Sequence, residues 1–118
     1  MAGIHEGSCH CGRIAFTVEG EIEGAIDCNC SLCRRRGSVL AFFPRDALRL
    51  RTPEAHMATY TFNRHVIRHH LCPVCGVAPF AEAVNPRTGQ PTAAVNLRCL
   101  ADVDLAALEI THYDGASA

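Results

Sequence analysis

The sequence predicts a mainly β protein made of small antiparallel sheets organised around metal, with at most one or two short helices. Three observations carry that expectation. Apolar and polar residues alternate in short runs, turn-forming residues separate the runs, and eight cysteines in 118 residues gather in groups with metal-ligand spacing.

Taken in order, Ile14, Phe16 and Val18 interleave with Arg13, Thr17 and Glu19, the period of two that gives a strand one apolar face. Leu48 and Leu50 alternate with Arg49 and Arg51 in the same way. The pattern returns at Tyr60 and Phe62, at residues 67–71 and 77–80, and most cleanly at Ala93, Val95 and Leu97. An antiparallel meander follows. Its turns fall at Arg36-Gly37, at Asn63-Arg64 and at residues 85–90, where Pro86 and Gly89 suit a hairpin loop. Residues 100–108 place Leu100, Val103 and Ala107 on one face with Asp102 as a cap, so one short helix is expected there. Residues 115–118 are expected to fray. No repeat or low-complexity linker interrupts the chain, and residues 1–118 are read as a single zinc-binding domain.

A chain of this length buries about two-thirds of its unfolded surface and needs no disulfides to possess a core. It opens without a basic segment leading into an apolar one, so a cytoplasmic location is expected. In that reducing compartment clustered cysteines ligate metal or do chemistry. The best apolar run, residues 39–43, stops at Pro44, far short of the ~20 residues that span a membrane. Eleven basic residues, all arginine, stand against twelve acidic ones for a net charge of -1, and aromatics make up 6% with no tryptophan. That balance argues against nucleic acid and membrane surfaces as partners. Without lysine there is no Schiff-base chemistry, and without a serine elbow, phosphate-binding glycine loop or paired carboxylates the hydrolase and kinase classes drop out.

Seven cysteines form three groups: Cys9-His10-Cys11-Gly12, Cys28-Asn29-Cys30-Ser31-Leu32-Cys33 and Cys72-Pro73-Val74-Cys75-Gly76. Two intervening residues let Cys72 and Cys75 face one ion, and a glycine after each pair can turn backbone amides toward sulfur. Cys9 and Cys11 therefore pair with Cys72 and Cys75 as a closed tetrahedral zinc site of four thiolates with a structural role. Free or buried thiols, or a redox C-x-x-C, are the alternatives; the redox motif belongs in a βαβ context that this sequence lacks. Cys28, Cys30 and Cys33 supply three thiolates from one loop and leave a tetrahedral ion one ligand short, the pattern of a catalytic zinc. A thiol substrate entering there would be held as thiolate. Cys99, which follows an alternating strand, either completes this second site or is an ordinary buried thiol, and it is not assigned as a ligand.

Arg34, Arg35 and Arg36 follow Cys33 at once, which points to an anionic substrate; a solvated charge run on a turn is the alternative. Seven thiolates add more negative charge than two zinc ions return, and the arginines would offset it. His10, inside an extended C-x-C step, points away from the metal, while His65, His69 and His70 are expected on a half-exposed strand without a site role.

The order Cys9-x-Cys11-Gly12, Cys28-x-Cys30-x-x-Cys33-Arg34-Arg35, Cys72-x-x-Cys75-Gly76 and Val95-Asn96-Leu97-Arg98-Cys99-Leu100 resembles the glutathione-dependent formaldehyde-activating enzyme family, which includes centromere protein V. The likeness runs from about Gly7 to Asp104. It implies a β-tent fold with two zinc sites, in which Cys9, Cys11, Cys72 and Cys75 look like structural ligands and Cys28, Cys30 and Cys33 like catalytic ones. The implied reaction is reversible carbon-sulfur bond formation between formaldehyde and glutathione, giving S-hydroxymethylglutathione. The expected function is thus a zinc-dependent carbon-sulfur lyase or synthase acting on a small thiol and a small aldehyde, with Arg34 and Arg35 binding the thiol's carboxylates. A non-catalytic zinc-binding interaction module and a thiol redox sensor are the competing classes.

Overall fold

The computed structural model describes residues 3–117, and its strands form two sheets. β1 (Ile4–Ser8), β2 (Ala15–Glu19) and β5 (Leu48–Leu50) make the smaller one in the order β1-β2-β5. The larger runs β10-β3-β4-β9-β8-β7-β6, from β3 (Gly24–Cys28), β4 (Leu40–Pro44), β6 (Ala58–Tyr60), β7 (Arg68–Leu71), β8 (Phe80–Val84), β9 (Pro91–Asn96) and β10 (Glu109–Tyr113). One four-residue α-helix, α1, spans Cys33–Arg36. No helix among the described residues is long and apolar enough to cross a membrane.

The core lies between the inner faces of the two sheets. Phe16 and Val18 of β2 pack with Leu48 of β5 against Ala41 and Phe43 of β4, Phe80 of β8 and Ala93 and Val95 of β9. Each strand contributes every second residue, and this one-sided burial is the physical origin of the period-two runs in the sequence. The Phe16 and Phe80 rings meet at 5.7 Å, tilted by 55°, and tie one sheet to the other. A smaller cluster of Cys9, Ile14 and Cys72 joins the sheets at one end.

The core face also carries a polar knot. His70 Nε2 lies 2.7 Å from Glu82 Oε1, and Thr59 Oγ1 meets the other ring nitrogen at 2.9 Å. Arg45 Nε donates to Glu82 Oε2 at 2.8 Å and Arg68 Nη2 at 3.3 Å. This satisfies a buried histidine and a largely buried carboxylate together, and it fixes β7 to β8 just before Cys72.

Several expectations need correction, among them the strand expected at residues 77–80, where only Phe80 belongs to a strand, as the first residue of β8. The meander is not wholly antiparallel: β10 runs parallel to β3, with Tyr113 opposite Cys28. Residues 100–108 form no α-helix. Two 3-10 turns stand at Leu97–Cys99 and Leu105–Ala107, and the Gly7–Leu100 bridge between them holds the chain extended. Asp104 caps the second turn through Ala106 N–H, while Asp102 meets buried His5 at 2.9 Å. The tail does not fray through Ser117: Gly115–Ser117 forms a turn against the loop after β3, and Ala118 lies outside the described residues. The hairpin at residues 85–90 forms as expected, closed by Asn85 N–H to Gln90 O at 2.9 Å and Gly89 N–H to Asn85 O at 2.8 Å.

Candidate metal centres

The sulfurs of Cys9, Cys11, Cys72 and Cys75 all lie within 4.8 Å of one another. Cys11 Sγ is 3.8 Å from Cys9 Sγ and 3.6 Å from Cys72 Sγ, and the eight cysteines are all free. Four sulfurs held about 2.3 Å from a tetrahedral ion would be about 3.8 Å apart, so the donor set and its spacing fit zinc. The two halves of the cluster are built alike. Cys9 N–H donates to Ile14 O and Ile14 N–H returns a bond to Cys9 Sγ at 3.3 Å. Cys72 N–H donates to Val77 O, while the Val74 and Cys75 amides donate to Cys72 Sγ at 3.4 Å. Gly12 and Gly76 close the turns at φ of 85° and 82°, a region where a Cβ is strained.

Amide donors aimed at sulfur favour thiolate. The Val77 and Cys11 amides draw Cys75 down to about 6. Burial works against the Cys72 thiolate, yet the Cys75 and Val74 amides hold its pKa below the ordinary value. Cys11 goes the other way, up to about 11: the Arg13 amide favours its thiolate, but burial and the sulfurs of Cys72, Cys9 and Cys75 outweigh it.

β3 ends on Cys28, the chain loops over Cys30, and α1 starts at Cys33, which brings the three sulfurs within 4.8 Å of one another. No fourth histidine, cysteine or carboxylate joins them at that distance among the described residues. Cys30 N–H points to Cys28 Sγ at 3.5 Å and Cys33 N–H to Cys30 Sγ at 3.4 Å. Burial disfavours the Cys30 thiolate, but the Cys33 amide and side chain overcome it and lower its pKa. Cys33 is pushed up to about 12 by burial and by the Cys30 and Cys28 sulfurs. All three are half-buried, whereas Cys9 and Cys72 are 2% and 0% exposed.

The loop is fastened from its far side by the end of the chain. Asn29 N–H donates to Tyr113 O at 3.1 Å, Asn29 Nδ2 to Asp114 Oδ1 at 3.1 Å, and Ala116 N–H to Asn29 Oδ1 at 3.0 Å. A Cβ on Gly115 would stand 2.5 Å from Cys28 Sγ and 3.3 Å from Cys30 Cβ. Sequence reasoning missed Asn29, Asp114 and Gly115, because their proximity depends on the parallel β3–β10 pairing.

Arg34 and Arg35 are exposed beside the three-cysteine loop, and Arg35 Nη1 donates to Ser31 O at 2.7 Å. Arg36 is half-buried and acts electrostatically on His69. The His69 pKa is lowered by burial and then by Arg36 and His70, and its Nε2 has no hydrogen-bond partner. His65 sits in a turn at φ of 57°, not on a strand, and His70 is buried in the Glu82 knot. His10 is exposed and joins neither cluster. Cys99 also belongs to neither. It lines a recess of about 290 Å³ with Ser8, Phe16 and Arg51, and burial, then the charges of Cys9 and Cys75, push its thiol up to about 11. It therefore lies toward the four-cysteine cluster and does not complete the other.

A β-rich fold holding one four-thiol and one three-thiol cluster defines a class of protein whose grouped cysteines could hold metal ions. The sequence matches the model of the glutathione-dependent formaldehyde-activating enzyme family over residues 4–113, and the chain belongs to that family. The match spans β1 through β10, wider than the stretch from Gly7 to Asp104 that carries the resemblance in the sequence. The fold is similar to the crystal structure of a Rhodobacter sphaeroides protein solved as a structural genomics target. The two share 28% identity over 90% of this chain and 99% of that one, with a TM-score of 0.76.

Proposed function

We propose that the protein is a zinc-dependent carbon-sulfur lyase or synthase that reversibly adds glutathione, or a similar thiol, to formaldehyde or another small aldehyde. The observation that carries this reading is the cluster of Cys28, Cys30 and Cys33, three sulfurs from one half-buried loop with no fourth protein ligand among the described residues. Membership of the glutathione-dependent formaldehyde-activating enzyme family supports the choice of reaction. In this reading Cys9, Cys11, Cys72 and Cys75 hold a structural zinc, and the three-cysteine loop holds a second ion with one position free for substrate. Held by Cys28, Cys30 and Cys33, a zinc ion would favour the deprotonated form of an entering thiol near neutral pH and would supply Lewis acidity toward a carbonyl oxygen.

The chain's own groups do the rest. Amides within the loop, Cys33 N–H to Cys30 Sγ and Cys30 N–H to Cys28 Sγ, orient the ligands before substrate arrives. Arg34 and Arg35 are exposed directly after Cys33, and Arg35 Nη1 is engaged by Ser31 O. Both suit the carboxylates of a glutathione-like thiol through paired N–H donors. In the net reaction a sulfur-carbon bond forms, the thiol gives up its proton and the former carbonyl oxygen gains one. A reducing cytoplasm, where such thiols are plentiful, is the compartment in which this chemistry would run.

Exchange between formaldehyde and glutathione, followed by NMR, tests the proposal. The wild type is expected to speed it and Cys30→Ala to leave it at the uncatalysed rate. Equal rates for both proteins at matched concentration, both at the uncatalysed level, end the enzymatic reading in favour of a non-catalytic module.

A further inference from the structure

The tail ordered against the three-cysteine loop has a use that a frayed end would not. We infer that residues 113–116 form a clamp on Asn29, with Gly115 as a positioning residue that holds Cys28 and Cys30 in metal-binding geometry before the metal arrives. The inference rests on the reading of Cys28, Cys30 and Cys33 as a second metal site.

Asn29 stands between two of the three cysteines, and its backbone amide and both polar atoms of its side chain are bonded to the tail. Those bonds form a closed pattern: the Asn29 amide donates to Tyr113, its side-chain nitrogen donates to Asp114, and its side-chain oxygen accepts from Ala116. The parallel β3–β10 ladder delivers the tail to this place in register, with Tyr113 opposite Cys28. Without the clamp, a loop with sulfurs at three of six positions would lose conformational freedom only when the ion bound, which would weaken binding.

Gly115 sharpens the point. Its missing side chain leaves room for Cys28 Sγ, and a methyl group there would stand 2.5 Å from the sulfur. A cysteine side chain can rotate away from such a clash at small cost to the fold. Rotation removes the sulfur from its two partners, so metal binding registers the change even where stability does not. The matched family region ends at residue 113, so the Asp114 carboxylate, Gly115 and the Ala116 amide that complete the clamp lie beyond it.

The test counts metal in the whole 118-residue chain loaded with cobalt(II), whose thiolate charge-transfer and ligand-field bands report each cysteine site. Competition with a chelator is expected to strip the wild type in two steps, the three-cysteine site first. Gly115→Ala and Asn29→Ala should release that first ion at about tenfold lower chelator and leave the second step unchanged, since supporting contacts typically contribute 10–100-fold to metal affinity. Asn29→Asp should weaken the first step too, because it faces the Asp114 carboxylate. Asn29→Asp combined with Asp114→Asn restores the donor–acceptor pair and should restore retention. First steps unchanged in the single variants, or a wild type that holds only one ion, overturn the inference. A wild type that holds two ions, loses one in Gly115→Ala and yet fails to speed the formaldehyde–glutathione exchange keeps the clamp and ends the catalytic reading.

Discussion

The two cysteine clusters use the same ligand in opposite structural settings. One joins segments far apart in the chain, with Cys11 and Cys72 separated by 61 residues, and two of its cysteines are wholly buried beside Ile14. The other is local, half-buried, and sits on a single loop between β3 and α1. Loop-closure entropy makes the difference quantitative. Bringing ends together costs about 3.6 kcal/mol for 61 residues and about 1.4 kcal/mol for five, before a constant common to both. In the proposed reading a structural zinc at the four-cysteine cluster would supply about 10–16 kcal/mol of binding free energy, enough to outweigh the larger closure cost and make that site part of folding. The smaller loop asks little of a metal and contributes little to holding distant strands together, so it can keep a ligand position for chemistry.

The most damaging single change should therefore fall in the buried cluster. Cys72→Ala removes one of four ligands and leaves three sulfurs facing one another in or beside the core. A loss of about 4 kcal/mol is expected, lowering the thermal midpoint by roughly 10 °C or more. Cys30→Ala, an equal chemical change in the other cluster, should move the midpoint by about 3 °C or less. Calorimetry on both variants decides the matter, and equal losses would erase the division between a folding site and a reaction site.

An intermediate effect is expected at Glu82, because its knot braces β7 immediately ahead of Cys72. Glu82→Gln should cost about 1–3 kcal/mol at neutral pH, the usual range for losing hydrogen bonds to charged partners. The acid dependence has a definite sign. Burial tends to raise the Glu82 pKa, but bonds from Arg45 and His70 and the charges of Arg45 and Arg68 leave it below the ordinary 4.5. The folded state thus holds its proton less tightly than the unfolded one. Stability from the ionised carboxylate is fully present above 4.5 and shrinks as the pH falls through the lower folded value. Thermal midpoints of wild type and Glu82→Gln should converge as pH is lowered from 7 toward 3, and a gap that stays constant would contradict this account.

Much of this was legible in the sequence, for reasons that differ by element. Phe16, Val18, Ala93 and Val95 could be read because alternation is a direct imprint of a one-sided strand, and the cysteine groups because metal geometry constrains spacing. The short β1 and β3 carry weak alternation, as Ile4 is exposed and Gly24 opens the other strand. The expected helix at residues 100–108 failed because a local apolar spacing was outweighed by the pairing of Leu100 with Gly7, a contact across the whole sequence. β10 is exposed at every residue, so it has no apolar face to announce it, and its parallel partner is far away. The same blind spot hid Asn29 and Gly115, whose meaning appears only when the tail is placed against the loop.

The smallest effect should come from Cys99, and its smallness is what tests the comparison most closely. Had Cys99 completed the three-cysteine site, both clusters would be closed and the contrast between them would vanish. Its thiol instead feels the charges of Cys9 and Cys75, and burial does most to push its pKa up to about 11. Iodoacetamide should therefore label this thiol slowly at pH 8. Cys99→Ser should leave two ions bound and shift the thermal midpoint by about 2 °C or less, because a half-buried sulfur without ligand duty is replaced by a near-isostere. Metal analysis after gel filtration checks the count. Loss of the more weakly held ion on this substitution would mean that Cys99 reaches the Cys28–Cys33 loop in solution, and the open ligand position on which the proposed chemistry depends would be gone.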